Sequence, residues 1–103
     1  QERVKKMTPA DWERVKNEGD ALMKKIAALR GSDPASAEVQ EAIAGHYNGL
    51  RAFYEPNLEL YRGLANMYVE DARFTANIDK YGEGTAAFLQ EGMLVYCDVH
   101  KAK

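Results

Sequence analysis

The sequence contains few of the residues that build disulfide frameworks, metal sites and membrane spans. Its 103 residues include one cysteine, two histidines and three prolines. A single cysteine, Cys97, excludes an internal disulfide bond and a zinc site made of cysteine ligands. No stretch is long and apolar enough to span a membrane as a helix. These absences predict a domain held together by an apolar core, in a reducing compartment such as the cytoplasm.

The chain also lacks an excess of basic residues. Its formal net charge is -2, and the lysines and arginines are interspersed with aspartates and glutamates. Domains that bind nucleic acid usually present a basic stripe, so we expect no direct DNA binding by this chain. The first residues, QERVKK, are not followed by the apolar segment of a signal peptide. Because the chain begins with Gln1 and not with methionine, we expect it to be one piece of a longer protein.

Catalytic motifs are missing as well. No serine lies in a nucleophile elbow, and the GEG at 82–84 lacks the length and the lysine of a phosphate-binding loop. His46 and His100 are distant in sequence, and His46 has no nearby acidic residue with which to share a metal at helical spacing. We therefore predict that the chain is not an enzyme and that it holds no metal and no cofactor.

Helical signals run through the whole chain, whereas the alternation typical of strands is absent. Thr8 is a predicted N-cap with Pro9 in the first helical position, and Gly31 is a predicted stop. Pro56 should end a second helix near Tyr54 and open a third, because proline disfavours helical geometry in the residue before it.

Two further helices are predicted in the C-terminal half. Asp71 is a predicted cap for a short fourth helix that Gly82 stops, and Thr85 is a predicted cap for a fifth. The tail DVHKAK, from Asp98 onward, is polar and is expected to fray. Five helices with short connections in a chain of this length predict one all-α domain.

Residues 46–61, HYNGLRAFYEPNLELY, are rich in rings around a proline. Tyrosines recur every seven residues in this stretch and just beyond it, but the proline interrupts the unbroken helix that a coiled-coil seam needs. These tyrosines are Tyr47, Tyr54, Tyr61 and Tyr68. Such rings either pack a core or line a cleft, and composition leaves both readings open. Three other rings are expected in the core or at its edge: Trp12, Phe88 and Tyr96.

His46 stands between Ile43 and Leu50 on the apolar face of the second predicted helix. A histidine in such a position is by default a core residue whose ring nitrogen bonds a backbone carbonyl or a tyrosine hydroxyl. The alternative, a group presented to a ligand, stays open from the residues alone.

Several stretches of the chain are similar to a known family. They are GLANMYVEDARFTANIDKYGEG at 63–84, AAFLQEGM at 86–93 and, near the start, TPADWERVKNEGDALM. With residues 46–61 they make nearly the whole chain resemble the TipAS family. This family is the antibiotic-recognition domain at the C-terminal end of certain MerR-family transcriptional activators.

The resemblance implies both a fold and a function. Domains of this family are compact, all-α and globin-like, and they bind large, mostly apolar antibiotics in a cleft between helices. Binding is coupled to transcription through an upstream helix-turn-helix domain and coiled coil. Residues 1–103 would then be a single TipAS-like domain, monomeric by itself. The full-length protein would be dimeric and cytoplasmic, and would contact DNA only through its upstream part.

Carried over by position, the resemblance places a ligand-binding cleft between the second and third helices. From the second helix and its end it implies His46, Tyr47, Leu50, Phe53 and Tyr54. From the third helix it implies Leu60, Tyr61, Leu64 and Tyr68, with Phe74 closing one end. The expected partner is a hydrophobic small molecule or a peptide antibiotic.

The sequence departs from the thiopeptide-binding founder of the family at two positions. Gly63 stands where the founder has a cysteine that bonds covalently to its ligand, and Pro56 stands where another family cysteine falls. Cys97 lies elsewhere, so the expected binding is non-covalent. Two alternative functions remain open: a stand-alone protein that sequesters antibiotics, and a helical interaction module whose groove holds a protein segment.

Overall fold

The computed structural model describes residues 8–101, and within them it contains helices and no strand. The helices are α1 (Pro9–Ala28), α2 (Ala37–Gly49), α3 (Leu58–Glu70), α4 (Ala72–Asp79) and α5 (Thr85–His100), with a 3-10 turn (Leu50–Ala52) after α2. The predicted all-α class with five helices is therefore confirmed. No helix in the described part is long and apolar enough to cross a membrane.

Two predicted helix starts are confirmed by their hydrogen bonds. At α1 the Thr8 hydroxyl accepts from the Asp11 backbone N–H at 3.1 Å, and the Asp11 carboxylate accepts from the Thr8 N–H at 3.1 Å. This reciprocal capping box satisfies donors that the first turn of a helix leaves without intrahelical partners. At α4 the Asp71 carboxylate accepts from the Arg73 backbone N–H at 2.9 Å.

The start of α5 differs from the prediction that Thr85 caps it. Gly84 occupies the cap position, with a backbone φ of 88°. Glycine adopts such a positive angle freely, whereas a side chain would be strained there. Thr85 is instead the first helical residue, and its hydroxyl donates to the Gly82 carbonyl oxygen at 2.5 Å. The buried hydroxyl therefore closes the turn that precedes α5.

The break between α2 and α3 is longer than predicted. The periodicity predicts a helix as far as Tyr54, but the chain passes into the 3-10 turn after α2 and then leaves helical geometry. α3 begins at Leu58 because the side chain of Asn57 caps it, accepting a backbone N–H of the first turn at 2.9 Å. Pro56 therefore precedes the cap and does not open the helix, since asparagine supplies the acceptor that a helix start needs.

The prediction that the tail frays from Asp98 is wrong, since α5 continues through His100. The His100 ring stacks on the Tyr96 ring at a centroid distance of 3.9 Å, and its Nδ1 lies 2.9 Å from the Tyr96 carbonyl oxygen. Asp98 also pairs with Arg62 of α3 at 3.0 Å. These contacts hold the last turn. The remaining tail residues, 102–103, lie outside the described part of the chain.

α5 is the central helix, since in the described part of the chain it contacts each of the other four helices. Where it meets α2 and α3, the rings of Tyr47, Tyr61 and Tyr96 pack with centroids 4.9–5.7 Å apart. The expected burial of Phe88 and Tyr96 is confirmed. The largest fully buried side chains are those of Ile26, Val39, Ile43, Tyr61, Thr85, Leu89, Met93 and Cys97.

α1 packs on the core through its C-terminal half, where Ile26 and Ala27 are buried and Leu22 and Met23 are partly buried against the core. In its first half, Trp12 is 42% exposed, and its ring contacts Phe53 at a centroid distance of 5.9 Å. The expected core position of Trp12 is therefore wrong. Since no residue of α1 before Ile26 is buried, space remains between this half of the helix and the rest of the domain.

The close crossing of α2 and α5 makes a first prediction. A Cβ at Gly92 would lie 3.0 Å from two side-chain atoms of Ile43, which is itself fully buried. We expect Gly92→Ala to lower the free energy of unfolding by about 1–3 kcal/mol, because the packed core cannot make room for the methyl group. Urea unfolding measures this change.

The matched control is Gly63→Ala on α3. Gly63 is exposed, and a Cβ there would meet nothing within 4 Å. Alanine should raise the free energy of unfolding by about 0.5–1 kcal/mol at this site, because glycine is a poor helix former. Equal effects of the two substitutions would contradict the proposed crowding at Gly92.

Candidate functional site

A large cavity opens between the middle of α1, the end of α2 with its 3-10 turn, and the end of α4. Its volume is about 680 Å³, within the range of roughly 300–1,000 Å³ found for small-molecule sites. α1 lines it with residues from Arg14 to Met23, and the opposite wall runs from Gly45 to Phe53. Three residues at and just after the C-terminal end of α4 complete it: Asn77, Lys80 and Tyr81.

Glycines keep this cavity open. Gly19 of α1 and Gly49 of α2 both line it, and a Cβ at either position would meet nothing within 4 Å. At Gly45, which also lines it, the nearest neighbour of an added Cβ would be Leu22 at 3.7 Å. The absence of side chains at these glycines therefore leaves space between the facing sides of α1 and α2.

The wall is apolar and the rim is charged. The partly buried apolar side chains come from α1 and from the residues after α2, and they are Val15, Leu22, Met23, Leu50 and Phe53. The charged side chains that border the cavity are more exposed and carry both signs: Arg14, Lys16, Glu18, Asp20 and Lys80. An apolar interior with a mixed rim suits a hydrophobic ligand of low net charge better than an ionic one.

A hydrogen bond at the rim ties α1 to the end of α4. The Tyr81 hydroxyl donates to the Asp20 carboxylate, which also pairs with Lys24 at 3.5 Å. This bond lowers the pKa of Asp20 and raises the pKa of Tyr81. It joins residues 61 positions apart in the chain. It therefore holds α1 at Asp20, a residue that the core does not bury.

His46 stands where the cavity meets the core. Its ring lines the cavity, and its Nδ1 lies 2.8 Å from the hydroxyl of Tyr61, a core residue that is 1% exposed. Burial lowers the pKa of His46 from 6.5 to about 4, and burial likewise raises the pKa of the Tyr61 hydroxyl well above its usual range. Both groups are therefore neutral near pH 7.

Further rings continue from His46 toward the outside of α3 and α4. The Tyr68 ring lies edge-on to His46 at a centroid distance of 6.2 Å, and Phe74 follows at 6.0 Å from Tyr68. Burial raises the pKa of the Tyr68 hydroxyl to about 12. Phe74 is 36% exposed, so this row of rings reaches from the cavity to the surface.

The family model of the TipAS antibiotic-recognition domain matches residues 1–96. The chain belongs to the TipAS family. It is 39% identical over 89 residues to the transcriptional activator Mta of Bacillus subtilis (strain 168), a match that covers 85% of this chain and 35% of Mta. It is 35% identical over 96 residues to the activator TipA of Streptomyces coelicolor, covering 90% of this chain and 38% of TipA. The chain thus spans little more than a third of these activators.

Two solved structures share the fold. One is TipAS of Streptomyces lividans in complex with the thiopeptide antibiotic nosiheptide, with a TM-score of 0.87 and 33% identity over 96% of this chain and 71% of that one. The other is the antibiotic-binding domain of a TipA-class multidrug resistance transcriptional regulator. It has a TM-score of 0.77 and 34% identity over 86% of this chain and 98% of that one.

Three of the side chains assigned from the TipAS resemblance line the cavity, namely His46, Leu50 and Phe53. Tyr47 and Tyr61 are buried in the core behind it. Leu64 and Tyr68 are partly buried and pack against that core, and Tyr54 is also partly buried. Leu60 and Phe74 are exposed on the outside of the domain. The structure therefore places His46, Leu50 and Phe53 at the cavity, and it leaves Tyr47 and the members on α3 and α4 outside it.

Sequence reasoning missed the wall that α1 supplies. Val15 and Leu22 follow the helical spacing of a core seam, and so they resemble ordinary packing residues. The signal that could have found the wall is Gly19, because a glycine between such residues removes side-chain volume from the face that should be best filled. Only the position of α1 relative to α2 shows that this volume is empty.

The positions related to family cysteines lie outside this cavity. Gly63 is exposed on α3, beside a shallow depression formed with Met67, Glu70, Asp71 and Ala72. Cys97 is fully buried, its Sγ is 3.5 Å from the Leu58 carbonyl oxygen, and burial raises the pKa of its thiol. No reactive thiolate faces the cavity. Among residues 8–101, no three His, Cys, Asp or Glu side chains are grouped to hold a metal ion.

The burial of His46 predicts a pH dependence of stability. In the unfolded protein His46 becomes protonated near pH 6.5, whereas in the folded protein its pKa is about 4. Stability from this group is therefore complete above pH 6.5 and is lost as the pH falls toward 4. By this linkage the free energy of unfolding should drop by roughly 2–3 kcal/mol between pH 7 and pH 4.5.

Urea unfolding at the two pH values checks this, with His46→Gln as the test variant and His100→Gln as the matched control. Glutamine cannot titrate, so His46→Gln should lose much less stability on acidification than the wild type. His100→Gln should keep the full loss, because His46 is unchanged in this variant. Carboxylates such as Asp71 contribute equally in all three proteins. If His46→Gln and the wild type lose the same amount, the assigned shift of the His46 pKa is wrong.

Proposed function

We propose that this chain is the ligand-sensing domain of a MerR-type transcriptional activator. It binds large hydrophobic antibiotics or other drug-like molecules non-covalently, in the cavity between α1, α2 and the end of α4. The observation that carries this proposal is an apolar cavity, held open by glycines, in a chain of the TipAS family.

The shape of the site favours a compact ligand over a protein segment. The cavity is walled by α1 on one side and α2 on the other, and the residues after α4 limit it further. A helical interaction module would need an open and continuous apolar groove for its partner. The cavity volume of about 680 Å³ matches a small-molecule site, which supports the sensing function over that alternative.

Non-covalent binding follows from the available side chains. Gly63 and Pro56 stand where the resemblance places cysteines of other family members, and neither carries a nucleophile. Cys97 is fully buried on α5. Affinity must then come from the burial of apolar ligand surface, at about 25 cal/mol per Å², and from the few polar groups that line the wall.

In this proposal, α1 is the helix that transmits ligand binding to the rest of the activator. Only the C-terminal end of this helix is buried, so a ligand in the cavity would supply apolar contacts that the protein itself does not make. Binding therefore stabilises one placement of α1, and a placement stabilised by ligand can shift an equilibrium of the whole activator. DNA contacts and dimer formation belong to parts of the cytoplasmic activator outside this chain, and no cofactor is involved.

A cavity-filling variant tests the location of the site. Gly19→Leu adds a side chain at the wall of the cavity, and the Cβ of that side chain meets nothing within 4 Å. Nosiheptide, the ligand of the similar TipAS, serves as the first probe, together with a panel of hydrophobic antibiotics. Gly19→Leu should weaken binding on the order of tenfold or more, because the ligand must now displace a leucine.

Gly63→Leu is the matched control, since it adds the same side chain on α3, outside the cavity. Amide chemical shifts of the labelled domain report where each probe binds, and thermal melts show that both variants fold. We expect probe-induced shifts at Gly19, Gly45 and Gly49, with affinity retained in Gly63→Leu. Loss of binding in Gly63→Leu alone would place the site on the outer face of α3. No shifts with any probe would refute the sensing function.

A further inference from the structure

We propose that His46 is the specificity-determining residue of this cavity, and that it selects uncharged ligands by donating its Nε2–H to an acceptor atom of the ligand. This inference rests on the proposed function, because it names the class of ligand that the same cavity takes. The ligand would be a hydrophobic molecule with a carbonyl, ether or ring-nitrogen acceptor placed to reach the imidazole.

The hydroxyl of Tyr61 decides which nitrogen of His46 carries the proton. Two acceptors lie near that hydroxyl: His46 Nδ1 at 2.8 Å and the Ile43 carbonyl oxygen at 3.4 Å. A hydroxyl hydrogen bond is usually 2.5–3.0 Å long, so the shorter contact is much the stronger. The Ile43 carbonyl also lies inside α2, where it has a helical partner four residues on. The Tyr61 proton therefore points at Nδ1.

A neutral imidazole has one donor nitrogen and one acceptor nitrogen. With Nδ1 accepting from Tyr61, the ring proton must reside on Nε2. A protonated ring would carry a second N–H at Nδ1. The Tyr61 hydroxyl would then have to turn its hydrogen toward the Ile43 carbonyl oxygen, 3.4 Å away. The lowered pKa of His46, caused by burial, agrees with a ring that stays neutral.

Among residues 8–101 the Nε2–H has no hydrogen-bond partner, and His46 is one of the residues that line the cavity. The other polar groups near the wall are already engaged or lie at the rim. Asn48 accepts from Arg51 at 3.4 Å, and Asp20 is occupied by Tyr81 and Lys24. His46 is therefore the donor that a ligand meets at the junction of cavity and core.

This arrangement sets the ligand chemistry. A carbonyl or ether oxygen pairs with the Nε2–H, and an apolar ligand of the same shape leaves this donor unpaired and desolvated. A protonated amine meets a donor instead of an acceptor. A carboxylate placed against His46 meets a neutral ring, whereas the cations that border the cavity are exposed at its rim, so its desolvation is poorly compensated. Uncharged molecules with a suitably placed acceptor are the class that fits.

The first experiment reads the tautomer directly. Imidazole nitrogens in the ¹⁵N-labelled domain report by NMR which of them carries hydrogen, without any ligand. We expect His46 in the Nε2–H form near pH 7. The Nδ1–H form would overturn the proposal. In Tyr61→Phe the hydroxyl that selects the tautomer is gone, so the preference for the Nε2–H form should weaken.

The second experiment compares two probes of the same shape, 4-acetylbiphenyl and 4-isopropenylbiphenyl. They differ by one carbonyl oxygen in place of a CH₂ group. After correction for their partition between octanol and water, the ketone should bind the wild type on the order of tenfold more tightly, because one hydrogen bond forms. His46→Phe should abolish this ratio, and His100→Phe, the matched control, should retain it.

The outcomes separate this proposal from the function on which it rests. If both probes bind the cavity with equal corrected affinity, His46 does not select acceptors and only this inference fails. If neither these probes nor nosiheptide shifts the amides of Gly19, Gly45 and Gly49, the cavity is not the binding site and both proposals fail. If His46→Phe is too unstable to measure, Tyr61→Phe is used instead. Because the Nε2–H form is less favoured in that variant, we expect its preference for the ketone to be reduced.

Discussion

The hydrogen bond between Tyr61 and His46 links the core of the domain to its cavity. A phenol packed between Tyr47 and Tyr96 needs a partner for its hydroxyl, and His46 supplies it at 2.8 Å. Because Tyr61 lies on α3 and His46 on α2, the same bond fixes how these two helices face each other. The imidazole therefore cannot turn freely, since turning would leave the buried hydroxyl with only the longer contact to the Ile43 carbonyl oxygen at 3.4 Å. The packing of the core thus orients the His46 imidazole, the group that we propose as the hydrogen-bond donor to a ligand.

The cavity stays open because α1 is held at places that do not fill it. Near its C-terminal end the helix is packed through Ile26, and Arg30 just beyond donates to the Glu83 carbonyl oxygen at 2.5 Å. Farther back, Asp20 accepts from Tyr81 across the rim. Between these anchors and the helix start, the apolar seam of α1 faces volume that glycines leave empty. In the proposed function, a ligand in this cavity would complete the packing of α1, and its binding would thereby be coupled to the position of the helix.

Much of the local structure could be predicted, and the failures have physical causes. Thr8 and Asp71 cap their helices as expected, since cap chemistry acts over three residues. Thr85 does not cap α5, because the turn before it requires the positive φ that Gly84 adopts. The end of α5 is ordered by the stacking of His100 on Tyr96, where composition alone predicts fraying. Of the assigned site residues, His46, Leu50 and Phe53 reach the cavity, whereas none was assigned on α1, the helix that forms the opposite wall.

The sequence by itself determined the all-α class, most helix boundaries and membership of the TipAS family, because caps, breaks and motifs are properties of neighbouring residues. Only the tertiary structure decided which rings are core and which line the cavity. The identical spacing of Tyr47, Tyr54, Tyr61 and Tyr68 led to different environments, because the chain leaves helical geometry before Pro56 and changes direction there. Whether a ring is buried or lines a cavity depends on what lies opposite, and residue spacing along one helix does not contain that information.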